Sequence, residues 1–398
     1  MHPADEIRGV KSTALSKKKI VLGVTGSIAA VETIRLAREL IRHGADVIPV
    51  MTKAATRIIH PDSLEFATGK KPIIELTGQT EHVKFCGLTK DRVDALLISP
   101  CTANTISKIA HGIDDTTVTT FASTALGSKI PILIVPAMHI SMYNHKIIQE
   151  NIKKCKQVGI VFIGPLLVKT KAKMASHEEI VASVIRKIGK QDLEKKKILV
   201  IGGATAEPVD DIRLFTNRSS GKTAVSLVKN AYERGAAIEL WYGHAKESIP
   251  SYITVKSFET VDDLRNLVKT NNLKQFDCII LCAAIGDYLP KKYKGKIPSG
   301  KKKLIVELSP TPKIIQAIKS KAPKVKLIAF KVEQSKKTVE KKAFELLQKN
   351  KLDAAIGNTV SAFGKDENEI WIVDKRGKNL HKKGKKEELT NIILDLIR

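Results

Sequence analysis

At 398 residues, with 43% hydrophobic and 27% charged side chains, the chain has the composition of a soluble globular protein of two or three domains. It contains no apolar run of about eighteen residues and starts without an apolar leader, which excludes a transmembrane helix and favours a cytoplasmic location without membrane contact. The formal net charge of +27 is spread among acidic residues and only 5% of residues are aromatic, so no nucleic-acid partner is expected.

The first elements of the chain are predicted to be a strand, a turn and a helix. Residues 1–18 are expected to form a loosely docked lead-in, and residues 19–24 a short apolar strand. A turn of small residues at 23–27 leads into a helix, and a strand at 46–51 follows. Free N–H groups at such a helix start bind phosphate, although the turn lacks the GxGxxG pattern of dinucleotide sites. Two interpretations stay open: a mononucleotide or flavin phosphate site, and a turn without a ligand.

Polar loops follow the next two predicted strands. The strand at 94–99 continues into CTANTISKIAHG, and the strand at 130–135 continues into PAMHISMYN. In an open α/β sheet such loops lie at the carboxyl ends of the strands, where ligands bind. His82 stands alone before both strands, in the stretch LTGQTEHVKF. The ordinary histidine pKa of about 6.5 suits proton transfer, and a surface or structural role is the alternative.

A charged connector at 189–197 separates this half from a second α/β segment. The second segment begins with a strand at 198–201, a glycine turn and a helix ended by Gly235. Further strands are predicted at 236–243, 274–281, 353–358 and 369–373, with a C-terminal helix at 390–397. The predicted fold class is therefore α/β, with two doubly wound parallel-sheet (Rossmann-like) domains in tandem, residues 1–188 and 189–398.

The loop that opens the second segment ends in NRSSGK, which imitates the end of a phosphate-binding loop without its full spacing. Ser219 or Ser220 is expected to cap the following helix by accepting a backbone N–H. A cap alone and a cap combined with an anion site both fit the residues.

Four segments of the first half are similar to a known family. They are GVTGSIAA (23–30), the surroundings of His82, SPCTANTISKIAHGIDD (99–115) and PAMHISMY (136–143), in that order. Residues 19–188 thereby resemble the flavin-dependent cysteine decarboxylases, a family that includes phosphopantothenoylcysteine decarboxylase. The resemblance implies a flavoprotein-like doubly wound domain that forms trimers, with FMN at a contact between subunits.

This resemblance also implies residue roles. His82 would be the active-site base, and Cys101 would pack near the flavin without acting as a nucleophile. Ser27 would contact the FMN phosphate. The residues expected to bind FMN are Gly26, Ser27, Thr52, Thr102, Ala103, Asn104, Thr105 and Ser123.

Two features depart from the decarboxylase pattern. His139 stands where the family commonly has an Asn that holds the substrate carboxylate, and it would hydrogen-bond or pair with that carboxylate instead. The stretch 166–179, LLVKTKAKMASHEE, lacks the Cys and Gly of the bacterial flap, so the donor of the last proton stays open. Lys171 and Lys173 either bind the substrate phosphate or form a solvated hairpin.

The second half resembles phosphopantothenate–cysteine ligase over about residues 195–398. The family pattern is matched in order by GGATAEPVDDIRLFTNRSSGK (202–222), AAIGDY (283–288), KGKIPSG (294–300) and AFKVE (329–333). The resemblance implies that a nucleoside triphosphate activates the carboxylate of 4′-phosphopantothenate as an acyl nucleotide, which the amine of cysteine then attacks. Mg²⁺ and lysines would neutralise the phosphates.

The ligase resemblance implies further residue roles. Asn217 would hydrogen-bond the acyl intermediate, and Lys296, in a mobile loop, would close over the phosphates. Asp287 would contact the nucleotide or Mg²⁺. The residues alone also fit a turn cap at Asn217, a core position at Phe330 and a helix cap at Asp287. The remaining expected nucleotide contacts are Ala283, Thr311, Pro312, Lys313, Ile314, Phe330 and Lys349.

Both resemblances occur in the domain order of the bifunctional decarboxylase–ligase family of coenzyme A biosynthesis. The expected function is ligation of cysteine to 4′-phosphopantothenate, with CTP expected and ATP as the alternative, followed by FMN-dependent decarboxylation to 4′-phosphopantetheine. Expected partners are these small molecules and further copies of the chain, through trimeric decarboxylase and dimeric ligase contacts. Two other hypotheses stay open: an active ligase with a degenerate flavin-binding or oligomerising first domain, and a basic RNA-binding protein.

Overall fold

The computed structural model describes residues 1–168, 170–300, 302–362, 364–377 and 379–398. The chain divides into two units, Met1–Gln191 (unit 1) and Asp192–Arg398 (unit 2). Each unit is built around a sheet of mainly parallel strands with helices packed on both faces, which confirms the predicted α/β fold class. Among the described residues, no helix is both long and apolar enough to span a membrane.

The main sheet of unit 1 is entirely parallel. The strands of unit 1 are β1 (Lys19–Val24), β2 (Asp46–Met51), β3 (Ala95–Cys101), β4 (Ile132–Pro136), β5 (Met138–His139), β6 (Val161–Phe162), β7 (Leu166–Val168) and β8 (Lys171–Lys173). The helices are α1 (Pro3–Glu6), α2 (Thr33–Arg42), α3 (Pro61–Thr68), α4 (Glu81–Cys86), α5 (Ala103–Ala110), α6 (Thr117–Gly127), α7 (Ile140–Tyr143), α8 (Lys146–Gln157) and α9 (His177–Ile188), with 3-10 turns at Ile28–Glu32 and Ala55–Arg57. The sheet order is β2-β1-β3-β4-β6, and β5, β8 and β7 form a small separate sheet.

Strand β1 is buried on both faces, which explains its unbroken apolar sequence. Leu22 and Val24 belong to the core on the side of α2 and α9. Val21 belongs to the opposite core, which includes residues of α5 and α6. Strand β2 is at the edge of the sheet, as its proline predicts. The missing N–H of Pro49 therefore costs no hydrogen bond to a further strand on the outer side of β2.

The N-terminal lead-in is not loosely docked, so that prediction was wrong. Ala4 and Leu15 are 1% and 0% exposed and belong to the core of unit 1. Helix α1 also packs against α3. Two apolar side chains in an otherwise polar segment are therefore enough to anchor it.

The main sheet of unit 2 is mixed. The strands of unit 2 are β9 (Lys197–Gly202), β10 (Ala206–Pro208), β11 (Leu214–Thr216), β12 (Ala237–Tyr242), β13 (Thr254–Ser257), β14 (Cys278–Leu281), β15 (Tyr288–Pro290), β16 (Leu308–Pro310), β17 (Lys326–Glu333), β18 (Ala354–Thr359), β19 (Glu367–Asp374) and β20 (Asn379–Lys385). The helices are α10 (Lys222–Glu233), α11 (Val261–Thr270), α12 (Ile314–Lys321), α13 (Lys336–Asn350) and α14 (Lys386–Asp395), with 3-10 turns at Leu273–Gln275 and Val360–Ala362. The sheet order is β13-β12-β9-β14-β17-β18-β19-β20, and β10–β11 and β15–β16 are separate hairpins.

The closing strands of unit 2 run antiparallel, unlike the rest of its main sheet. Strand β18 pairs in parallel with β17, but β19 is antiparallel to β18, and β20 is antiparallel to β19. The connections between these strands are too short for a crossover helix, which a parallel strand would require. The predicted strand at 369–373 is thus present within β19, at the antiparallel edge of the sheet.

The strand order brings specific loops together in each unit. Strand β1 lies between β2 and β3, and β9 lies between β12 and β14, each pair being parallel. The chain leaves the sheet in opposite directions on either side of such a strand, and the resulting crevice at the carboxyl ends is where α/β proteins bind ligands. The loops after β1 and β3 and those after β9 and β14 therefore border these crevices.

Arg234 connects the start of unit 2 to its C-terminal helix. Its Nε and Nη2 donate to the two carboxylate oxygens of Asp192 at 2.9 Å, and Nη2 also donates to Asp395 at 2.8 Å. The residue is only 6% exposed. We expect Arg234→Ala to lower the free energy of unfolding of unit 2 by about 1–3 kcal/mol, because Asp192 and Asp395 lose a buried donor while both keep their pair with Arg398.

Urea unfolding followed by tryptophan fluorescence measures this loss, since Trp241 and Trp371 both lie in unit 2. Arg265→Ala is the matched control, because its ion pair with Asp262 is exposed on both sides and should contribute less than about 1 kcal/mol. Equal losses in the two variants would contradict the assignment of a structural role to Arg234.

Candidate active sites

A cavity of about 840 Å³ opens in unit 1 at the carboxyl ends of β1, β3 and β4. The predicted site residues that line it are Gly26, Ser27, Thr102, Ala103 and His139. The other lining residues are Ile28, Ala29, Glu32, Arg35, Ala137, Met138, Met142 and residues 171–177. The structure thus groups the predicted flavin turn with the substrate-binding position in one cavity.

The turn after β1 is held against the end of β3 by a threonine. Thr25 Oγ1 donates to the carbonyl of Pro100 at 2.9 Å and accepts the N–H of Thr102 at 3.1 Å. Gly26 cannot carry a side chain here, because a Cβ would lie 2.6 Å from the Cβ of Ala54. The cavity wall is therefore formed by backbone at this point, which lets a ligand approach closely.

Ser27 begins the 3-10 turn that follows. Its Oγ accepts the N–H of Ala29 at 3.4 Å and donates to the carbonyl of Ala137 at 3.4 Å. The hydroxyl therefore bridges the loops after β1 and β4 at the cavity wall. The hydroxyl has a single proton, so it can donate to a phosphate oxygen only by turning away from the carbonyl of Ala137.

The loop after β3 caps the next helix. Thr102 Oγ1 accepts the N–H of Thr105 at 3.3 Å at the start of α5. Asn104 is exposed and Thr105 is buried. Cys101 is fully buried, and burial raises the pKa of its thiol well above the usual range, so the thiol stays protonated at neutral pH.

Five predicted residues do not line this cavity in the single chain: Asn104 and Thr105 on α5, and Thr52, His82 and Ser123 on other segments. Thr52, after β2, is buried and its Oγ1 accepts the N–H of Ala55 at 3.2 Å. Ser123 is exposed on α6, and His82 lies on α4, which packs against α6. Within the described part of the chain, the buried Nδ1 of His82 has no hydrogen-bond partner. One chain alone therefore does not bring His82 to the cavity.

His139 and the lysine hairpin face each other across a short sheet. Strand β5 pairs with β8, with His139 opposite Lys171, and β7 completes the hairpin. His139 Nδ1 lies 2.7 Å from Ser141 Oγ. Lys171 and Lys173 are exposed and line the cavity, whereas Lys169 of the same stretch lies outside the described residues.

Sequence reasoning missed Glu32, Arg35 and His177, which also line the cavity. His177 Nε2 lies 3.4 Å from the carboxylate of Glu32. The two residues are 145 positions apart and belong to different elements, α9 and the 3-10 turn before α2. In the sequence, the only hint was that Glu32 and Arg35, of opposite charge, are three positions apart and so fall on one face of a helix. That spacing is common on exposed helix faces and does not by itself indicate a site.

In unit 2, hydrogen bonds from residues 203–205 connect the loops around β9. Ala204 N–H donates to the carbonyl of His244 at 2.8 Å, and Ala284 N–H donates to that of Gly203 at 2.8 Å. Thr205 Oγ1 accepts the N–H of Gly286 at 2.9 Å. The bonds from Ala284 and Gly286 therefore connect the AAIGDY loop to the residues that follow β9.

A cavity of about 100 Å³ lies beside this junction. Of the predicted residues, Ala283 and Phe330 line it. Asn358 also lines it, and its buried Oδ1 has no partner among the described residues. The remaining lining residues are Gly203, residues 219–224, Cys282, Ala284, Val332, Asn368 and Lys386.

The start of α10 opens on the same cavity, but the predicted serine cap was wrong. The residue before the helix is Gly221 with φ of 79°, and it makes no side-chain cap. Ser220 Oγ only accepts the N–H of Lys222 at 3.4 Å. A left-handed residue between the serines and the helix moves their hydroxyls one position too early to cap it. Lys222 itself pairs with Asp366 at 2.6 Å.

Asn217 and Lys296 belong to the two hairpin regions of unit 2, and neither of them lines this cavity. Asn217, exposed after β11, donates from Nδ2 to the carbonyl of Ala284 at 3.2 Å. Lys296 precedes Ile297, which is 4% exposed and hydrogen-bonded through its backbone to Asp210 and Arg213. The loop predicted to be mobile is therefore anchored one residue after Lys296.

The other predicted nucleotide contacts are dispersed. Asp287 pairs with Lys313 at 2.5 Å, so a cation or nucleotide at this carboxylate has to displace the lysine. Thr311 Oγ1 donates to the carbonyl of Gly286 at 2.7 Å. Ile314 belongs to the core, Pro312 is exposed, and Lys349 is exposed on α13. Among the described residues, no cluster of three His, Cys, Asp or Glu side chains suits a metal ion.

Comparison with known proteins covers both units. Residues 9–189 match the family model named Flavoprotein, and residues 193–398 match the DNA/pantothenate metabolism flavoprotein C-terminal domain. The coenzyme A biosynthesis bifunctional protein CoaBC of Thermococcus kodakarensis is 46% identical over 378 residues, which is 94% of this chain and 93% of the relative. The CoaBC protein of Methanocaldococcus jannaschii is 38% identical over 407 residues, covering 100% of this chain and 98% of the relative.

The chain belongs to the CoaBC family. Membership confirms the predicted enzyme, a phosphopantothenoylcysteine decarboxylase combined with a phosphopantothenate–cysteine ligase in one chain of coenzyme A biosynthesis. It also confirms that the chain is a flavoprotein by family. The roles of individual residues are not decided by membership and stay predictions.

For this CoaBC family member, the loop at Gly221 offers a direct test of the site geometry. A Cβ at Gly221 would lie 1.8 Å from Tyr242 Oη, in a backbone conformation with φ of 79°. We expect Gly221→Ala to lower the free energy of unfolding by about 2–4 kcal/mol, the sum of left-handed strain and overpacking.

Gly377→Ala separates these two contributions, because Gly377 has φ of 77° but nothing within 4 Å of the added Cβ. This control should lose only about 1–2 kcal/mol from backbone strain. Urea unfolding followed by tryptophan fluorescence measures both variants. An equal loss of unfolding free energy in the two variants would show that the loop at Gly221 shifts to make room for the added methyl group.

Proposed function

We propose that unit 2 ligates cysteine to 4′-phosphopantothenate and that unit 1 decarboxylates the product to 4′-phosphopantetheine. The proposed domains are residues 1–188 for the decarboxylase and 189–398 for the ligase. The observation that carries the proposal is the large cavity at the carboxyl ends of β1, β3 and β4, together with the smaller one beside β9 and β14. Each unit thus has its own cavity at the ends of its parallel strands.

The cavity of unit 1 fits FMN. Its wall is bare backbone at Gly26, it presents the hydroxyls of Ser27 and Thr102, and its volume is about 840 Å³. Ser27 would hold the phosphate, with Ala103, Asn104 and Thr105 as further proposed contacts. Thr52 and Ser123 lie away from the cavity of their own chain, so we propose that they meet FMN only at a contact between subunits. When bound, FMN would supply an acceptor of two electrons that returns them at the end of the reaction.

The chain's own residues in unit 1 would bind and orient the substrate. His139 would hydrogen-bond its carboxylate, and Lys171 or Lys173, which also line the cavity, would meet its phosphate. His82 would act as the base. Because His82 does not line the cavity of its own chain, we propose that it acts at a contact between subunits of a trimer.

In unit 2 the chemistry is activation of a carboxylate followed by attack of an amine. Lys296 would neutralise the phosphates while the pyrophosphate leaves, and Asn217 would hydrogen-bond the acyl nucleotide. Ala283 and Phe330 would contact the base from the cavity wall. Asp287 would bind Mg²⁺ or the nucleotide after Lys313 moves, with Thr311, Pro312, Ile314 and Lys349 as outer contacts.

We propose CTP as the activating nucleotide, with ATP as the alternative. The support is the fusion of both domains in one chain, which is typical of the family members expected to use CTP. Both nucleotides carry an exocyclic amino group that a carbonyl acceptor in the cavity can bind.

Several exposed apolar side chains support the proposed self-association. On the two hairpins of unit 2, the most exposed are Ile212 at 63% and Ile305 at 73%. Leu214, Phe215, Tyr288 and Leu308 are also exposed on these hairpins or beside them. Apolar residues grouped in this way are typical of interfaces between copies.

The five cysteines are free, which supports the proposed cytoplasmic location.

The proposed function is tested by incubating the full chain with 4′-phosphopantothenate, cysteine, Mg²⁺ and either CTP or ATP. Pyrophosphate and CO₂ are measured separately. We expect both products in equal amounts, faster with CTP, and a yellow purified protein. Pyrophosphate without CO₂ would support the alternative of an active ligase with a degenerate first domain, which the altered flap and His139 motivate.

His82→Asn tests the proposed base. We expect release of CO₂ from 4′-phosphopantothenoylcysteine to fall by about 10²–10⁴-fold, because an amide cannot take a proton at neutral pH. Pyrophosphate release by unit 2 should stay unchanged. His111→Asn is a control, since His111 is an exposed histidine bonded to the carbonyl of Ser107. Undiminished CO₂ release in His82→Asn would refute the assignment.

A further inference from the structure

The turn between β10 and β11 contains a buried carboxylate. The side chain of Asp210 is fully inaccessible, whereas the next residue, Asp211, is 55% exposed. Asp210 Oδ1 accepts the N–H of Ile212 at 2.8 Å and the N–H of Arg213 at 2.6 Å. These bonds fix the turn, but they use only one of the two carboxylate oxygens.

The second oxygen reaches a different loop. Asp210 Oδ2 accepts the N–H of Ile297 at 3.0 Å and also pairs with the guanidinium of Arg213. Arg213 Nη1 in turn donates to the carbonyl of Ile297 at 3.3 Å. One ion pair therefore holds both backbone polar groups of Ile297, a residue 87 positions away from Asp210.

The electrostatics of this contact favour an ionised Asp210. Burial alone would raise the pKa of its carboxyl group. The N–H groups of Ile297, Ile212 and Arg213 and the guanidinium of Arg213 outweigh that effect and hold the pKa well below its usual range. A carboxylate with this set of donors stays ionised at neutral pH, and it therefore keeps its hydrogen bond to the N–H of Ile297.

Two proposed catalytic side chains are attached to this arrangement. Lys296 directly precedes Ile297, and a second bond, from Asp211 N–H to the carbonyl of Gly295 at 3.4 Å, holds the residue before Lys296. Asn217 directly follows β11, the strand that leaves the Asp210 turn. The contact therefore connects the two segments that carry Lys296 and Asn217.

We propose that Asp210 is a positioning residue, which holds the backbone of Ile297 so that Lys296 faces the phosphates at a fixed distance from Asn217. This inference rests on the proposed role of Lys296 in ligation. Without the anchor, the loop would have to be ordered each time nucleotide binds, and a lysine displaced by about 1 Å loses much of its effect on the transition state.

The test compares Asp210→Asn with Asp211→Asn in the full chain. Both remove one negative charge, but the side chain of Asp211 makes an exposed pair with Lys292, and its backbone bond to Gly295 does not depend on the side chain. We expect Asp210→Asn to lower kcat for pyrophosphate release by roughly tenfold to a hundredfold, with KM for CTP changed by less than about threefold. Asp211→Asn should behave like the unaltered chain. Decarboxylation of supplied 4′-phosphopantothenoylcysteine should be unchanged in both.

Combining the substitution with Lys296→Gln distinguishes positioning from a general structural effect. If Asp210 acts through Lys296, adding Asp210→Asn to Lys296→Gln should change kcat by less than about twofold, because the coupled group is already absent. A further loss of about tenfold or more in the double variant would overturn the positioning role. Rates are compared per folded molecule, using the fluorescence of Trp241 and Trp371, so reduced stability does not obscure the result.

Limited trypsin digestion gives a readout independent of catalysis. Cleavage after Lys294 or Lys296 should be faster in Asp210→Asn than in Asp211→Asn, and the same rate in both would overturn the anchoring of the loop. Failure of the proposed function looks different. If Lys296 has no role in ligation, Lys296→Gln will leave pyrophosphate release intact. If only the positioning role of Asp210 is wrong, Lys296→Gln will be inactive and Asp210→Asn will stay active.

Discussion

Parallel pairing of one strand with a neighbour on each side is the constraint on which both candidate sites depend. In unit 1 this strand is β1, between β2 and β3, and in unit 2 it is β9, between β12 and β14. The connections from such a strand diverge to opposite faces of the sheet, so the ends of the strands border a crevice that no helix fills. The polar loops at these ends can then face a ligand while the apolar strands below stay buried.

Hydrogen bonds between loops connect the walls of both crevices. Thr25 joins the ends of β1 and β3 in unit 1, and Thr205 holds the AAIGDY loop in unit 2. A threonine hydroxyl can donate and accept at once, so one small side chain can connect two backbone segments. At Gly26 the wall consists of backbone alone, because there is no space for a Cβ between this turn and Ala54.

The carboxylates of unit 2 have contrasting environments. Asp210 is buried and surrounded by N–H donors, which suits a permanent structural charge. Asp287 is 72% exposed and pairs with one exposed lysine, a contact that contributes little and that a cation or a phosphate group can replace. Burial therefore separates the carboxylate that fixes a loop from the one that is free to exchange partners during a reaction.

The sequence by itself determined the α/β class of both units, the strands with their polar loops, and the family to which the chain belongs. These are local properties: apolar runs of strand length, glycine turns and motifs of neighbouring residues such as TNRSSGK carry them. Distances between remote residues were decided only by the tertiary structure. The pairing of Glu32 with His177, the hold of Asp210 on Ile297, the buried lead-in and the position of His82 away from the cavity of its own chain depend on how separate elements pack. No periodicity encodes them, because a hydrogen bond or an ion pair across the fold leaves no mark in the order of neighbouring residues.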